Sequence, residues 1–394
     1  MADRARPTGR CRTIARVMRL DETDEPEREP TCGCRYDLEG DTVQLAGLGP
    51  GGVWRGETAV QFEFDRVYGP GSKRRDIHQE ELRFMVDEAL LGTDSALIVS
   101  GTSTSGKRHM VIGQPFISSA TDGAMSGLAE RIVHDVYARD PNEEWTLSVS
   151  IYSIFKDIIS DLLAPHRNDT SLRLECGKDG YAHVVNLSEV GLTTTADLLM
   201  LLRMSIRARE DMETTLSGRD ARSTLVLQLK LKNVKSGQRA QIAMLDLGGS
   251  EEPQLEGLRS LAVLSPPSPQ LDGLLSSPPM SPSFEGEALL GAFKLQQQMH
   301  KSPSFEGEAS VGAFKLQQLM RKMVEVSTSV VVLCVCSPIS ESFIGMREGL
   351  ALAEQSNQLD VKDLENRENR SSSMSSTQSQ AAFNGDVAQL RVYR

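Results

Sequence analysis

Two periods of apolar and polar positions alternate along the first part of the chain. Residues 13–18, 60–64 and 96–100 are short apolar or alternating runs of strand length, whereas 78–91 places its apolar residues near helical spacing. After a glycine-rich turn the pattern predicts a helix over 127–138 and a strand over 147–154. The short amphipathic stretch DIISDLL (157–163) and a strand over 172–175 follow. Strands and helices in alternation predict an α/β fold, with a central sheet covered by helices on both faces. A helix over 196–209 then precedes two strands, 224–232 and 240–245. They are joined by Lys235-Ser236-Gly237-Gln238, a spacing that suits a hairpin. Near the end, 330–336 is a β-branched strand and 345–358 a closing helix.

Between these last elements and the hairpin the composition changes. Residues 263–283 are rich in proline and serine, which no packed helix or strand could hold, and read as a disordered loop. A tandem duplication starts there. SPSFEGEALLGAFKLQQQMHK (281–301) is followed directly by SPSFEGEASVGAFKLQQLMRK (302–322), and the copies differ only at Leu289/Ser310, Leu290/Val311, Gln298/Leu319 and His300/Arg321. Two copies are too few for a solenoid, so the repeat reads as a short helix presented twice. Residues 1–10 and 366–394 read as disordered ends, and no heptad pattern long enough for a stalk is present. The expectation is one domain over 11–365 and a monomer.

Composition narrows the setting. The 394 residues allow one large core or two ordinary ones. The longest apolar run, 330–336, is too short to span a bilayer, so no membrane partner is expected. No apolar stretch of signal-peptide length follows the basic first residues, which predicts a cytoplasmic, cytoskeletal or nuclear setting. Cys32-Gly33-Cys34 could be half of a metal site, but a structural or neutral role is the simpler reading, since no second half follows. A net charge of −11 argues against general nucleic-acid affinity.

The candidate chemistry lies in the glycine-rich turn. Gly101, Thr102, Ser103, Thr104, Ser105, Gly106 and Lys107 follow the apolar strand and precede a predicted helix, the setting in which G-x-x-x-x-G-K cradles phosphate. Backbone N–H groups of such a loop point at phosphate oxygens and the lysine grips them. An ordinary Gly-Ser turn is the competing reading. The next residue is Arg108, where the motif calls for a serine or threonine on magnesium. Arginine cannot ligate a metal, although its guanidinium could neutralise phosphate charge directly.

Around this loop the chain resembles the kinesin motor domain across 11–365. FEFDRVYG (62–69) is similar to that family's FxFDxVF. LLGTDSALIVSGTSTSGKRHMVIG (90–113) resembles its phosphate-loop stretch, and SVSIYSIFKDIISDLLAP (148–165) its EIYNExxxDLL segment. Asp246-Leu-Gly-Gly-Ser-Glu251 resembles the second switch, DLAGSE, and 217–224 the first switch, NxxSSRSH. The similarity resumes at Phe314-Lys315-Leu316, in place of SKLT, and runs to GLALAEQSNQLD.

The resemblance implies a kinesin-type P-loop fold with a parallel-mixed sheet, ATP or ADP as ligand and microtubules (tubulin) as partner. By it, Asp246 would hold magnesium through water, Gly249 would sense the γ-phosphate, and Arg222 would pair with Glu251 around the attacking water. Arg16, in Arg16-Val-Met-Arg19, stands in the adenine-side motif RxRP without its proline. Asp220 and Ala221 replace two switch hydroxyls that would ligate the metal and touch phosphate. With Arg108, three metal-side positions oppose hydrolysis and put Mg2+ in doubt. Retention of Asp246 and Arg222 for folding alone is the competing reading. The microtubule-binding helix after the second switch is replaced by the Pro/Ser loop, which predicts a weakened track contact, and the duplicated unit repeats a track-facing helix with Lys294 and Lys315 in corresponding places. The expected function is a kinesin-like pseudo-motor. The alternatives are an active motor ATPase, or a regulatory partner whose Ser-Pro sites take phosphate.

Overall fold

Ala96-Leu97-Ile98-Val99, inside the strand Ser95–Ser100, is apolar at consecutive positions rather than alternate ones, as a strand covered on both faces requires. In the computed structural model this strand lies inside a nine-stranded sheet with every residue buried. The structure describes residues 11–19, 30–49, 52–55, 59–102, 105–113, 127–155, 158–164, 172–177, 182–215, 223–248, 314–340 and 343–356.

The elements of the large sheet are β1 (Arg12–Val17), β6 (Arg66–Tyr68), β7 (Ser95–Ser100), β8 (Trp145–Phe155), β9 (Ile158–Asp161), β12 (Val190–Leu192), β13 (Thr224–Asn233), β14 (Arg239–Asp246) and β15 (Ser329–Cys336). Their order is β12-β8-β13-β14-β7-β15-β1-β6, with β9 against β8. Pairs from β14 to β6 are parallel and those on the β8 side antiparallel. The division follows the connections. β13 and β14 are joined by a short turn and pair as the predicted hairpin, while each parallel neighbour is reached through a longer crossover.

Alternate residues of β7 feed two cores. Leu97 and Val99 pack with Ile132 and Val133 of α4 (Leu128–Arg139) and Leu198 and Leu202 of α5 (Thr195–Thr215). Ala96 and Ile98 pack with Leu319 and Met320 of α6 (Phe314–Val326) and Leu350 and Ala353 of α7 (Phe343–Ser356). Helices therefore cover both faces, as the strand and helix alternation predicted. Among the described residues no helix is long and apolar enough to cross a membrane.

Three details differ from the sequence pattern. The helical stretch predicted to start at His78 begins at Arg74, as α1 (Arg74–Ile77), a π-helical turn over His78–Leu82 and α2 (Arg83–Leu90). The wider turn shifts the phase of the apolar repeat, so a fixed 3.6 period misses the first turn. DIISDLL contains β9, whose register against β8 (Phe155↔Ile158, Tyr152↔Asp161) takes a short run that looks amphipathic for a strand pair.

The third difference is a second, antiparallel sheet, of which the pattern predicted only the strand at 60–64. It consists of β2 (Cys32–Asp37), β3 (Thr42–Gly49), β4 (Val53–Trp54), β5 (Val60–Glu63) and β16 (Ile339–Ser340). Apart from β5, its strands are partly exposed and carry glycine and charge, so no apolar run marks them. Within this sheet Cys32 is buried, and the Cys34 thiol lies 3.0 Å from Met346 Sδ.

α6 starts in the second copy of the duplication and runs four residues past its end. Its buried apolar residues are Leu316, Leu319, Met320, Met323 and Val324, a continuous helical stripe. Leu319, fully buried, is one of the four positions where the copies differ, and the first copy has Gln298 there. Residues 281–301 and the Pro/Ser-rich segment lie outside the described residues.

Candidate phosphate-binding site

β7 delivers the glycine-rich loop at its carboxyl end. Gly101 leaves the strand with φ at +141°, and a β-carbon there would come within 2.1 Å of the Val335 carbonyl oxygen. Gly106, at φ 82°, turns the chain into α3 (Lys107–Val111). Both conformations are costly for any residue with a side chain, so the two motif glycines are needed for geometry. Between them the loop folds on itself. Ser105 Oγ donates to the Thr102 carbonyl at 2.8 Å, and buried Lys107 donates from Nζ to the carbonyls of Gly101 (2.7 Å) and Thr102 (2.6 Å). The ammonium that the motif assigns to phosphate is thus held inside the loop by two backbone oxygens. Ser103 and Thr104 lie outside the described residues.

Arg108, in the first turn of α3, reaches sideways. Its Nη1 lies 3.3 Å from Glu210 Oε1 on α5, both side chains partly exposed. Its charge is already partly met there, which the sequence reading of a guanidinium free for phosphate did not include. Such an exposed pair contributes at most about 1 kcal/mol, so it can open for a stronger ligand.

Asp246 ends β14, in register with Val99 of β7, so the strand pairing sets its carboxylate beside the loop. The neighbouring backbone is tied down: Leu247 N donates to the Val99 carbonyl at 3.0 Å and Gly248 N to Thr224 Oγ1 at 3.2 Å. Asp246 is buried, with Oδ2 3.6 Å from Nη1 of Arg209. Arg209, also buried, donates from Nε to Ser223 Oγ at 3.1 Å and to the Ser223 carbonyl. Sequence reasoning missed Arg209. A signal was present: it is the charged residue on a helical stripe that otherwise reads Leu198, Leu202, Ser205 and Ile206, all buried.

Arg16 lies on β1 and is only 1% exposed. Its Nη2 donates to the Ser72 carbonyl at 3.1 Å and its Nη1 meets Met110 Sδ of α3. The side chain therefore braces the helix that carries Lys107 from behind. Gly101, Thr102, Ser105, Gly106, Lys107, Arg108 and Asp246 are brought together at one end of the sheet. Arg222, Gly249 and Glu251 lie outside the described residues, as do Asp220 and Ala221.

A glycine loop between a buried strand and a helix, with an acid at the end of the neighbouring strand, defines the P-loop class of α/β proteins. Within that class, the kinesin motor domain family model matches residues 52–261, just over half of the chain, and the chain belongs to that family. It is 28% identical over 200 residues to a kinesin heavy chain of Gibberella moniliformis, covering 50% of this chain and 21% of that one. It is 24% identical over 248 residues to the kinesin-like protein KIF22-A of Xenopus laevis, covering 60% of this chain and 36% of that one. The chain thus spans well under half the length of these relatives. Among solved structures, that of a fast kinesin superposes with a TM-score of 0.60 at 20% identity, over 89% of this chain and 92% of that one.

Proposed function

We propose that this chain is a microtubule-associated, kinesin-like protein that binds ATP or ADP at its glycine loop and hydrolyses it weakly or not at all. The observation that carries the reading is the contrast within one loop. Gly101 and Gly106 take the positive φ values that let a loop curl around phosphate and Lys107 sits within that loop, while the residue at the position of the metal hydroxyl is Arg108, turned toward Glu210. Phosphoryl transfer relies on positioning and cation charge, so loss of the metal hydroxyl removes catalysis before it removes binding.

Support for the partner comes from the family. The matched fast kinesin is described by its ATPase mechanism and its interactions with microtubules. α6, which carries Lys315, stands where the sequence resembles the track-facing segment.

The test is ATP hydrolysis with and without microtubules, beside the variant Arg108→Thr/Asp220→Ser/Ala221→Ser, with binding of a fluorescent ATP analogue measured in parallel. Binding without stimulated turnover, and turnover recovered in the triple variant, is the expected result. Microtubule-stimulated phosphate release by the unmodified chain would overturn the pseudo-motor reading. Co-sedimentation with microtubules, with and without ATP, tests the partner.

A further inference from the structure

Two pairs of alternate cysteines, far apart in the chain, meet where the small sheet joins the large one. β15 ends with Cys334 and Cys336, and after Ser337 and Pro338 the chain continues as β16. β16 pairs antiparallel with β2, Ser340 opposite Cys32 and Ile339 opposite Gly33. The ladder runs one step further, since Cys34 N donates to the Pro338 carbonyl at 3.0 Å. Gly33 keeps this approach close, for a β-carbon there would lie 3.3 Å from the same carbonyl oxygen. Cys336, two residues before Pro338, is thereby the diagonal neighbour of Cys34. The sulfurs form a row. Cys334 Sγ lies 3.9 Å from Cys336 Sγ, the Cys336 thiol touches that of Cys34, and Cys34 Sγ lies 3.0 Å from Met346 Sδ of α7.

The row has one open end. Cys34 is partly exposed, whereas Cys334 and Cys336 are buried, so a small oxidant from solvent reaches Cys34 first and finds Cys336 behind it. Among the described residues no three metal-ligating side chains are grouped, which leaves reaction between two thiols as the chemistry the row offers. The other pairings are poorly placed. Cys334 and Cys336 stand two apart on one strand, about 6.6 Å at the rise of a strand, near the upper limit that a disulfide spans. That strand is held on both sides, Cys334 opposite Ser100 of β7 and Ala15 of β1. Cys32 and Cys34 share the same spacing on β2, and the Cys32 thiol faces the Ser340 carbonyl at 3.5 Å.

We infer that Cys34 is a site of reversible oxidation by hydroperoxides and that Cys336 is its resolving thiol. In the first step the Cys34 thiolate takes the terminal oxygen of the peroxide. The O–O bond breaks, an S–O bond forms, and the departing hydroxide takes up a proton to become water. In the second step the Cys336 sulfur attacks the sulfenic sulfur. The S–S bond forms as the S–O bond breaks, and the proton of Cys336 leaves with the hydroxide as a second water. The two thiols together give up the two electrons that the peroxide gains, and a dithiol returns them by exchange. The bond staples β2 to β15, the strand whose Val335 carbonyl stands against Gly101 of the glycine loop. It also closes most of the chain into one loop, which restricts the unfolded state and favours the folded one.

The experiment treats the full chain with hydrogen peroxide at neutral pH, with and without later dithiothreitol. Free thiols are then blocked under denaturing conditions and the peptides mapped without reduction. A peptide pair linked through Cys34 and Cys336 is expected, absent after dithiothreitol, together with a higher urea midpoint of the linked form. Cys34→Ser should abolish the link, Cys176→Ser should leave it, and Cys336→Ser should leave Cys34 as a sulfenic acid that dimedone captures. Four results overturn the inference: a Cys34 that stays reduced while Cys176 is oxidised, a Cys34 driven to sulfinic acid beside a free Cys336, a link between any other two cysteines in place of this one, or oxidation confined to Met346. An unchanged or lower urea midpoint of the linked form overturns the stapling of β2 to β15. Should Cys336→Ser not fold, the peptide map of the unmodified chain still decides.

Discussion

The Val335 carbonyl oxygen lies 2.1 Å from the point where a β-carbon on Gly101 would stand, so the phosphate loop passes directly against β15. Gly101→Ala therefore has to move backbone as well as adopt a φ of +141°. A loss of about 2–4 kcal/mol in unfolding free energy is expected from urea titration. Gly237→Ala is the control. Gly237 has φ at +72° but nothing within 4 Å, so strain alone should cost about 1 kcal/mol. Equal losses at the two sites would show that the loop does not make this close approach.

Leu319 is fully buried between α6 and the sheet, and the first copy of the duplication carries glutamine at that place. Leu319→Gln removes apolar packing and buries an amide in one step. Its expected cost is about 3 kcal/mol, read as a lower urea midpoint with an unchanged slope. A cost below about 1 kcal/mol would mean that α6 does not pack through this residue.

His78, in the π-helical turn, is buried, and its pKa is lowered to about 4. Burial is the main cause. Asp135 on α4, 3.7 Å away, opposes it, while Arg131 and Arg139 of α4 and Arg83 of α2 reinforce it. Between that value and its ordinary 6.5 the unfolded chain binds more protons than the folded one. Stability from this group is complete above pH 6.5 and is lost as the pH falls toward 4. His78→Phe should flatten the slope of stability against pH in that window. Asp197 titrates below it. Bonds from Thr193 and Thr194 at the start of α5 lower its pKa to about 2, so its contribution fades only as the pH falls below its ordinary 3.8. An unaltered slope in the His78 variant would rule out the histidine as its source.

The cysteines divide by environment. Cys176 is exposed, whereas burial raises the Cys32 thiol to about 11. The thiols of Cys334 and Cys336 are also raised well above their ordinary value: Cys334 by its contact with Cys336 and by burial, and Cys336 by contact with Cys34 and by burial, which together outweigh the lowering contact from Cys334. Since the thiolate is the reactive form, iodoacetamide at pH 8 should alkylate Cys176 first and reach Cys32, Cys334 and Cys336 only after unfolding. Peptide mass spectrometry gives the order, and early labelling of Cys334 would contradict the burial of β15.

Legibility in the sequence followed the strength of the local signal. The β7 strand, the β13–β14 hairpin and the helices of both layers show in the period of their apolar residues, because each buries a face or both faces against one continuous core. Of the small sheet only β5 left such a trace, since its other strands are partly exposed and draw on partners far away, as when Ile339 pairs with Gly33. The same division runs through the site. Gly101, Gly106 and Lys107 are neighbours in the chain and recognisable by spacing, whereas the partners of Arg108 and Asp246 come from a helix about a hundred residues from one and some forty from the other.

The sequence by itself determined that this chain folds as an α/β P-loop protein with an arginine after its loop lysine, because glycine conformations and apolar periods are local properties. Only the tertiary structure decided that Lys107 turns back on two carbonyls, that Arg108 faces Glu210 and that Asp246 meets Arg209. Those pairings depend on where α5 crosses the end of the sheet, and long-range packing sets that crossing.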